Sequence, residues 1–288
     1  AGRPGPGLNE WVDHYDELNE DLVALGLENV VFAFDFPVSN GGDTVRAVAE
    51  QVRTPSAWTI EDIRDVDLGY SMPTGAWRQI IGTFTTDSFL LDEEHLRIED
   101  GLPIAEGNIE AKLFIHMPDS IRDAEPGTVP VWLFGHGIFG SPEEYLKSND
   151  DRSTLVEMAD EAGVIVVASS WYGLRAEDRL HALYIARDFG RMAEIIDRLH
   201  QGIANTLALS ALTLHGDLLQ IPELEGKADP SQLMYYGISL GGIAGAVMLA
   251  NNEDIEHGVL HVGGSAWSTM LERSSQWLPF DWGMSDSV

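Results

Sequence analysis

The residues best suited to chemistry lie in Gly237-Ile238-Ser239-Leu240-Gly241-Gly242, between the apolar run Leu233–Tyr236 and the small-residue stretch Ile243–Ala250. A serine on a sharp strand-to-helix turn takes a strained backbone conformation. Strand and helix then approach so closely that the positions two before and two after it must be nearly free of side chain. Gly237 and Gly241 meet that demand. Such a serine attacks acyl carbons, and the attack creates an oxyanion that needs preorganised backbone N–H donors. Upstream, Gly135-His136-Gly137-Ile138-Phe139-Gly140 follows another apolar run, Val131–Phe134, and its glycines permit an open loop. The expected donors are the N–H groups of Ile138 and Leu240.

Serine is a weak nucleophile at neutral pH unless a histidine takes its proton and a carboxylate orients that histidine. Only His257 and His261 follow Ser239. His257 opens a strand, at the end of the sheet away from the serine, and His261 is expected to pack beside the sheet. His136 is expected to shape the donor loop. Beyond Gly264 the acids are Glu272, Asp281 and Asp286, each expected at the surface.

The two glycine-rich motifs, in this order and on these strands, resemble those of the α/β-hydrolase family, particularly its esterases and lipases, over residues 77–288. The resemblance implies an α/β fold: a mostly parallel sheet with helices on both faces. It also implies a small-molecule ester substrate, no cofactor, and an acyl-enzyme on Ser239. In that family the acid and histidine follow the serine on later strands. The chain is therefore expected to be a fragment, with its C-terminal strands and the acid and base beyond Val288, and to turn over esters weakly by itself. Two other outcomes stay open: a hydrolase-like module that binds without catalysis, and an acyltransferase in which an alcohol resolves the acyl-enzyme.

The elements that must position these groups can be read from periodicity. Ile80–Thr86, Lys112–Met117, Val131–Phe134, Val164–Ala168, Leu233–Tyr236 and Val259–Val262 read as strands. An acidic loop spans 92–107. Helices are expected from Thr154, whose pairing with Glu157 suggests a capping box, to Ala162, then across 177–219 and over Ile243–Ala250. Residues 1–76 are expected to be the end of a preceding module. They hold an amphipathic helix over Leu8–Leu25 stopped by Gly26, a β-rich run Val30–Phe36, a turn at Ser39–Gly42, and weak patterns over 44–75.

Phe139, Trp171, Tyr172 and Trp267 are candidate walls of an acyl or aryl pocket. The aromatic-rich stretch from Trp267 through Trp282 suits a lid or core contacts equally. Ser148–Asp151 lacks the glycine and distal glutamate of a calcium loop, and His181, His200 and His215 are too widely spaced to pair as ligands, so no metal is expected.

Composition excludes several classes. The 288 residues carry 17 Lys and Arg against 47 Asp and Glu, a formal charge of −30. That excess repels phosphate backbones and anionic headgroups, so nucleic acid is not an expected partner. An exported location or a high-salt habitat suits the acidity, with export favoured, and a neutral ester is compatible with it. With no cysteine, any nucleophile must be oxygen or nitrogen. No apolar run reaches the ~18 residues of a membrane span, and oligomeric state is not legible.

Overall fold

The computed structural model describes residues 12–27, 30, 41–146, 154–186, 188–265 and 273–274. The expected strand over 31–36, the turn residues Ser39 and Asn40, Ser148–Asp151, Trp267, Glu272, Asp281 and Asp286 lie outside the described residues. The chain divides into two compact units, Ala1–Gly41 and Gly42–Val288.

In the first unit the described element is helix α1, Val12–Ala24. Gly26 ends it at φ 72. Its N–H donates to the Val23 carbonyl and that of Leu27 to the Leu22 carbonyl, which satisfies two of the carbonyls a helix end leaves open.

Helix α2, Gly41–Gln51, starts at the last residue of the first unit and runs into the second, where β1, Trp58–Asp65, follows. Gly41 and Gly42 therefore open a helix where a turn is expected. Residues 42–76 share the larger unit, whereas the sequence reading sets the division at 76/77. Next come β2 (Ala76–Asp87), the short pair β3 (Ile98–Glu99) and β4 (Leu102–Pro103) within the acidic loop, β5 (Asn108–Pro118) and β6 (Val129–Gly135). After these follow α3 (Pro142–Leu146), α4 (Thr154–Ala162), β7 (Ile165–Ala168), α5 (Arg179–Ile185) and α6 (Met192–His215). The described chain continues through β8 (Ala228–Ile238), α7 (Leu240–Leu249) and β9 (Gly258–His261). The helix expected across 177–219 is thus two helices. The cause is Asp188, whose carboxylate accepts the Gly190 N–H and whose carbonyl accepts that of Arg191, a local turn that outcompetes helix.

Seven strands pair in the order β1-β2-β5-β7-β6-β8-β9. Pairings among β7, β6, β8 and β9 are parallel, and those of β1 with β2, β2 with β5, and β5 with β7 are antiparallel. Five of the seven therefore run one way, with β1 and β5 reversed. This is an α/β-hydrolase-type sheet. Alternation along the strands sorts the core into two layers. Ile80, Leu113, Ile115, Leu133, Val167 and Tyr235 pack with Leu207 and Leu212 of α6 and Met248 of α7. Phe114, Phe134, Val166 and Tyr236 pack with Leu146 of α3 and Val156 of α4. Helices cover both faces, which is why the central strands read as unbroken apolar runs.

After β6 the chain crosses to β7 on one side, and later to β8 on the other. The sheet's order reverses at this point, and the crevice beyond the carboxyl ends of β6 and β8 is where open α/β sheets bind ligands. Among the described residues no helix is long and apolar enough to cross a membrane.

Ile80 in β2 is fully buried, distant in strand order from that crevice. Ile80→Ala should destabilise the protein by about 2–5 kcal/mol through lost burial and the cavity left behind. Urea unfolding measures this, and a change under about 1 kcal/mol would contradict the assigned core.

Candidate active site

Ser239 is the single residue between β8 and α7, and its backbone has φ 55 and ψ −112. A serine in so sparsely populated a region costs on the order of 1–3 kcal/mol and persists only where its surroundings over-determine it. Two bonds flank it: the Ser239 N–H donates to the His261 carbonyl at 2.9 Å, and the Gly241 N–H to the His136 carbonyl at 2.9 Å. The glycines are required by contact. A Cβ on Gly237 would stand 2.2 Å from the Gly241 carbonyl oxygen, and one on Gly241 would stand 2.0 Å from that of Gly135.

The loop after β6 is built around His136, which is wholly buried. Its Nε2 accepts the Trp171 N–H at 3.0 Å, so the proton sits on Nδ1, which donates to the Gly137 carbonyl at 2.7 Å. Both ring nitrogens are thereby used. Gly137 to Gly140 then form a turn closed by the Gly140 N–H on the Gly137 carbonyl, with Phe139 at φ 54. The Phe139 N–H is taken by the Leu174 carbonyl at 2.8 Å. The Ile138 N–H donates to no described residue, and the Leu240 N–H lies in the first turn of α7, where intrahelical acceptors are lacking. The Ile138 and Leu240 N–H groups therefore flank the His136–Gly241 contact.

A neighbour that sequence reasoning missed is Tyr145, on α3. A Cβ placed on Gly137 would lie 2.8 Å from its hydroxyl, 3.6 Å from Ser239 Cβ and 3.9 Å from Ser239 Oγ. Its ring stands edge-on to Phe134, centroids 5.4 Å apart. No spacing rule links positions 145 and 239, and the signal is absent from the sequence.

No histidine ring among the described residues is hydrogen-bonded to Ser239 Oγ. His261 Nδ1 is paired with the Tyr236 hydroxyl at 2.7 Å, and the residue is exposed rather than packed in the core. The His257 carbonyl accepts the Tyr235 N–H, which sets that residue toward the opposite end of β9. Among the described residues Ser239 Oγ has no hydrogen-bond partner. Trp171 is 1% exposed and packs against Gly135, while the Tyr172 ring is met by the guanidinium groups of Arg175 and Arg198, at 4.6 and 4.7 Å. Both rings, like Phe139, are buried.

His181 does meet two carboxylates, Glu94 and Glu194, brought from separate segments that linear spacing cannot relate. The Arg191 guanidinium already holds both oxygens of Glu194, at 2.5 and 2.8 Å, which makes this an ion-pair cluster.

No family model and no curated protein matches the chain. Solved structures resemble it. Acetyl xylan esterase 1 from Thermoanaerobacterium sp. is 14% identical, with TM-score 0.48 over 86% of this chain and 72% of that one. An acetyl xylan esterase from a Paenibacillus species is 13% identical, with TM-score 0.42 over 87% and 69%. The rice cell wall degrading esterase LipA from Xanthomonas oryzae is 16% identical, with TM-score 0.39 over 76% and 52%. The chain spans about half of LipA and 59% of a further similar chain from Bacteroides fragilis. At these values they are likenesses only, and the site stands on its own geometry.

Burial lowers His136 and His116 from 6.5 to about 4. Both are neutral in the folded protein, whereas the unfolded chain takes up their protons below about 6.5. Their contribution to stability is present above pH 6.5 and is lost as pH falls toward 4. Urea midpoints should drop across that window, and His116→Leu should flatten the slope by up to one proton. An unchanged slope in that variant would contradict the assignment.

Proposed function

We propose that this chain carries the nucleophile of a serine hydrolase that cleaves carboxylic esters through an acyl-enzyme. The observation that supports the reading is the strained Ser239 at a strand-to-helix junction, facing a loop whose Ile138 N–H has no acceptor among the described residues. Ser239 Oγ attacks the carbonyl carbon, and its proton passes to a base supplied from outside the described residues. The carbonyl oxygen becomes an oxyanion, which the N–H groups of Ile138 and Leu240 stabilise, with the positive end of the α7 dipole adding to the field. Collapse of this intermediate expels the alcohol, which takes up the proton, and water then releases the acid from Ser239.

Neutral His136 fits a supporting role: its ring ties the loop to Trp171, and its carbonyl ties the loop to Gly241. Tyr145, close to the space between Gly137 and Ser239, stands where it would touch the bound acyl group. The charge of −30 is tolerated by a neutral ester and opposes polyanionic substrates.

Full-length protein treated with a fluorophosphonate should be labelled on Ser239. Ser239→Ala should lose the label and at least about 10³-fold of the turnover of p-nitrophenyl acetate. Active protein with an unmodified Ser239 would overturn the reading.

A further inference from the structure

Tyr235 lies four residues before Ser239 in β8 and is fully buried. Its hydroxyl reaches past three glycines from three different elements. A Cβ on Gly135 of β6, Gly237 of β8 or Gly245 of α7 would lie 2.1, 2.5 or 2.3 Å from the hydroxyl oxygen. Gly237 also has a backbone reason to lack a side chain, since Gly241 crosses it. Gly245 has none: its three nearest atoms all belong to the Tyr235 ring and hydroxyl. A glycine inside a helix costs about 1 kcal/mol relative to alanine, so α7 is weakened at the point where this phenol enters.

The hydroxyl donates to the Gly241 carbonyl at 2.6 Å. Gly241 is thereby fixed at both ends, its N–H on the His136 carbonyl and its C=O on Tyr235. Burial pushes the phenol's ionisation far above its ordinary value, so this donor stays neutral. Phenylalanine would fill nearly the same volume. What the oxygen adds is the bond to Gly241.

We propose that Tyr235 is the positioning residue of this site: its hydroxyl pins Gly241 from beneath, and so fixes the first turn of α7, the Leu240 N–H and the strained backbone of Ser239. The proposal rests on the reading of Ser239 as nucleophile. A displacement of about 1 Å in such a constellation can slow reaction by about 10²-fold, so loss of this one bond should be visible in rate.

The test uses full-length wild type, Tyr235→Phe and Gly245→Ala, with the rate of fluorophosphonate labelling followed against probe concentration, well below each variant's unfolding temperature. Tyr235→Phe should keep the wild-type circular dichroism and half-saturating probe concentration, while its limiting rate falls about tenfold or more. Gly245→Ala, which crowds the ring, should show the same split and serves if the first variant folds poorly. Ile80→Ala, destabilised but remote from the elbow, should label at the wild-type limiting rate. Wild-type limiting rates in both Tyr235→Phe and Gly245→Ala would overturn the proposal, as would equal slowing in Ile80→Ala. Absence of label on wild-type Ser239 would instead overturn the nucleophile reading.

Discussion

The backbone crossing at Gly135, Gly237 and Gly241 is the constraint on which the site depends. Here β6, β8 and α7 approach so closely that a single Cβ on Gly241 would stand 2.0 Å from a carbonyl oxygen. The Gly241 N–H uses this proximity to bond the loop after β6 through the His136 carbonyl. Ser239 and the loop after β6 are thereby registered by a backbone bond, which the Tyr235 hydroxyl on the Gly241 carbonyl reinforces. Side chains are free to shape the surroundings.

That contact sits at the point where the sheet's order reverses. Crossovers leave β6 on opposite sides, the arrangement in which open α/β sheets form a crevice, and the two glycine-rich turns follow the carboxyl ends of β6 and β8. The surrounding groups hold the loops rigid more than they titrate. His136 is neutral and spends both nitrogens on backbone, Tyr235 is a neutral donor, and Trp171 fills the space against Gly135. Rigid, uncharged supports suit electrostatic stabilisation, which needs dipoles already oriented before charge develops.

The sequence made the middle of the sheet legible because strands buried on both faces read as uninterrupted apolar runs. β1 was illegible for a physical reason: a bulge between Ile60 and Asp62 breaks the alternation that would reveal an edge strand. The break between α5 and α6 was hidden in one aspartate's competing bonds. At the site, Ser239 and its glycines followed from steric demand, which acts locally along the chain. Tyr145 and the Glu94–His181–Glu194 cluster depend on contacts between distant segments, and the Tyr235–Gly241 bond, though six residues apart, joins a strand to the helix after it. Only Gly245, a glycine in the middle of a helix, left a trace of them in the sequence.

The most direct test of the account is the structure of the Ser239 phosphonate adduct, since its phosphoryl oxygen occupies the place of the oxyanion. That oxygen should lie about 2.7–3.1 Å from the backbone nitrogens of both Ile138 and Leu240, with the Gly241–His136 bond intact. An adduct on Ser239 whose oxygen points away from both nitrogens would contradict the account.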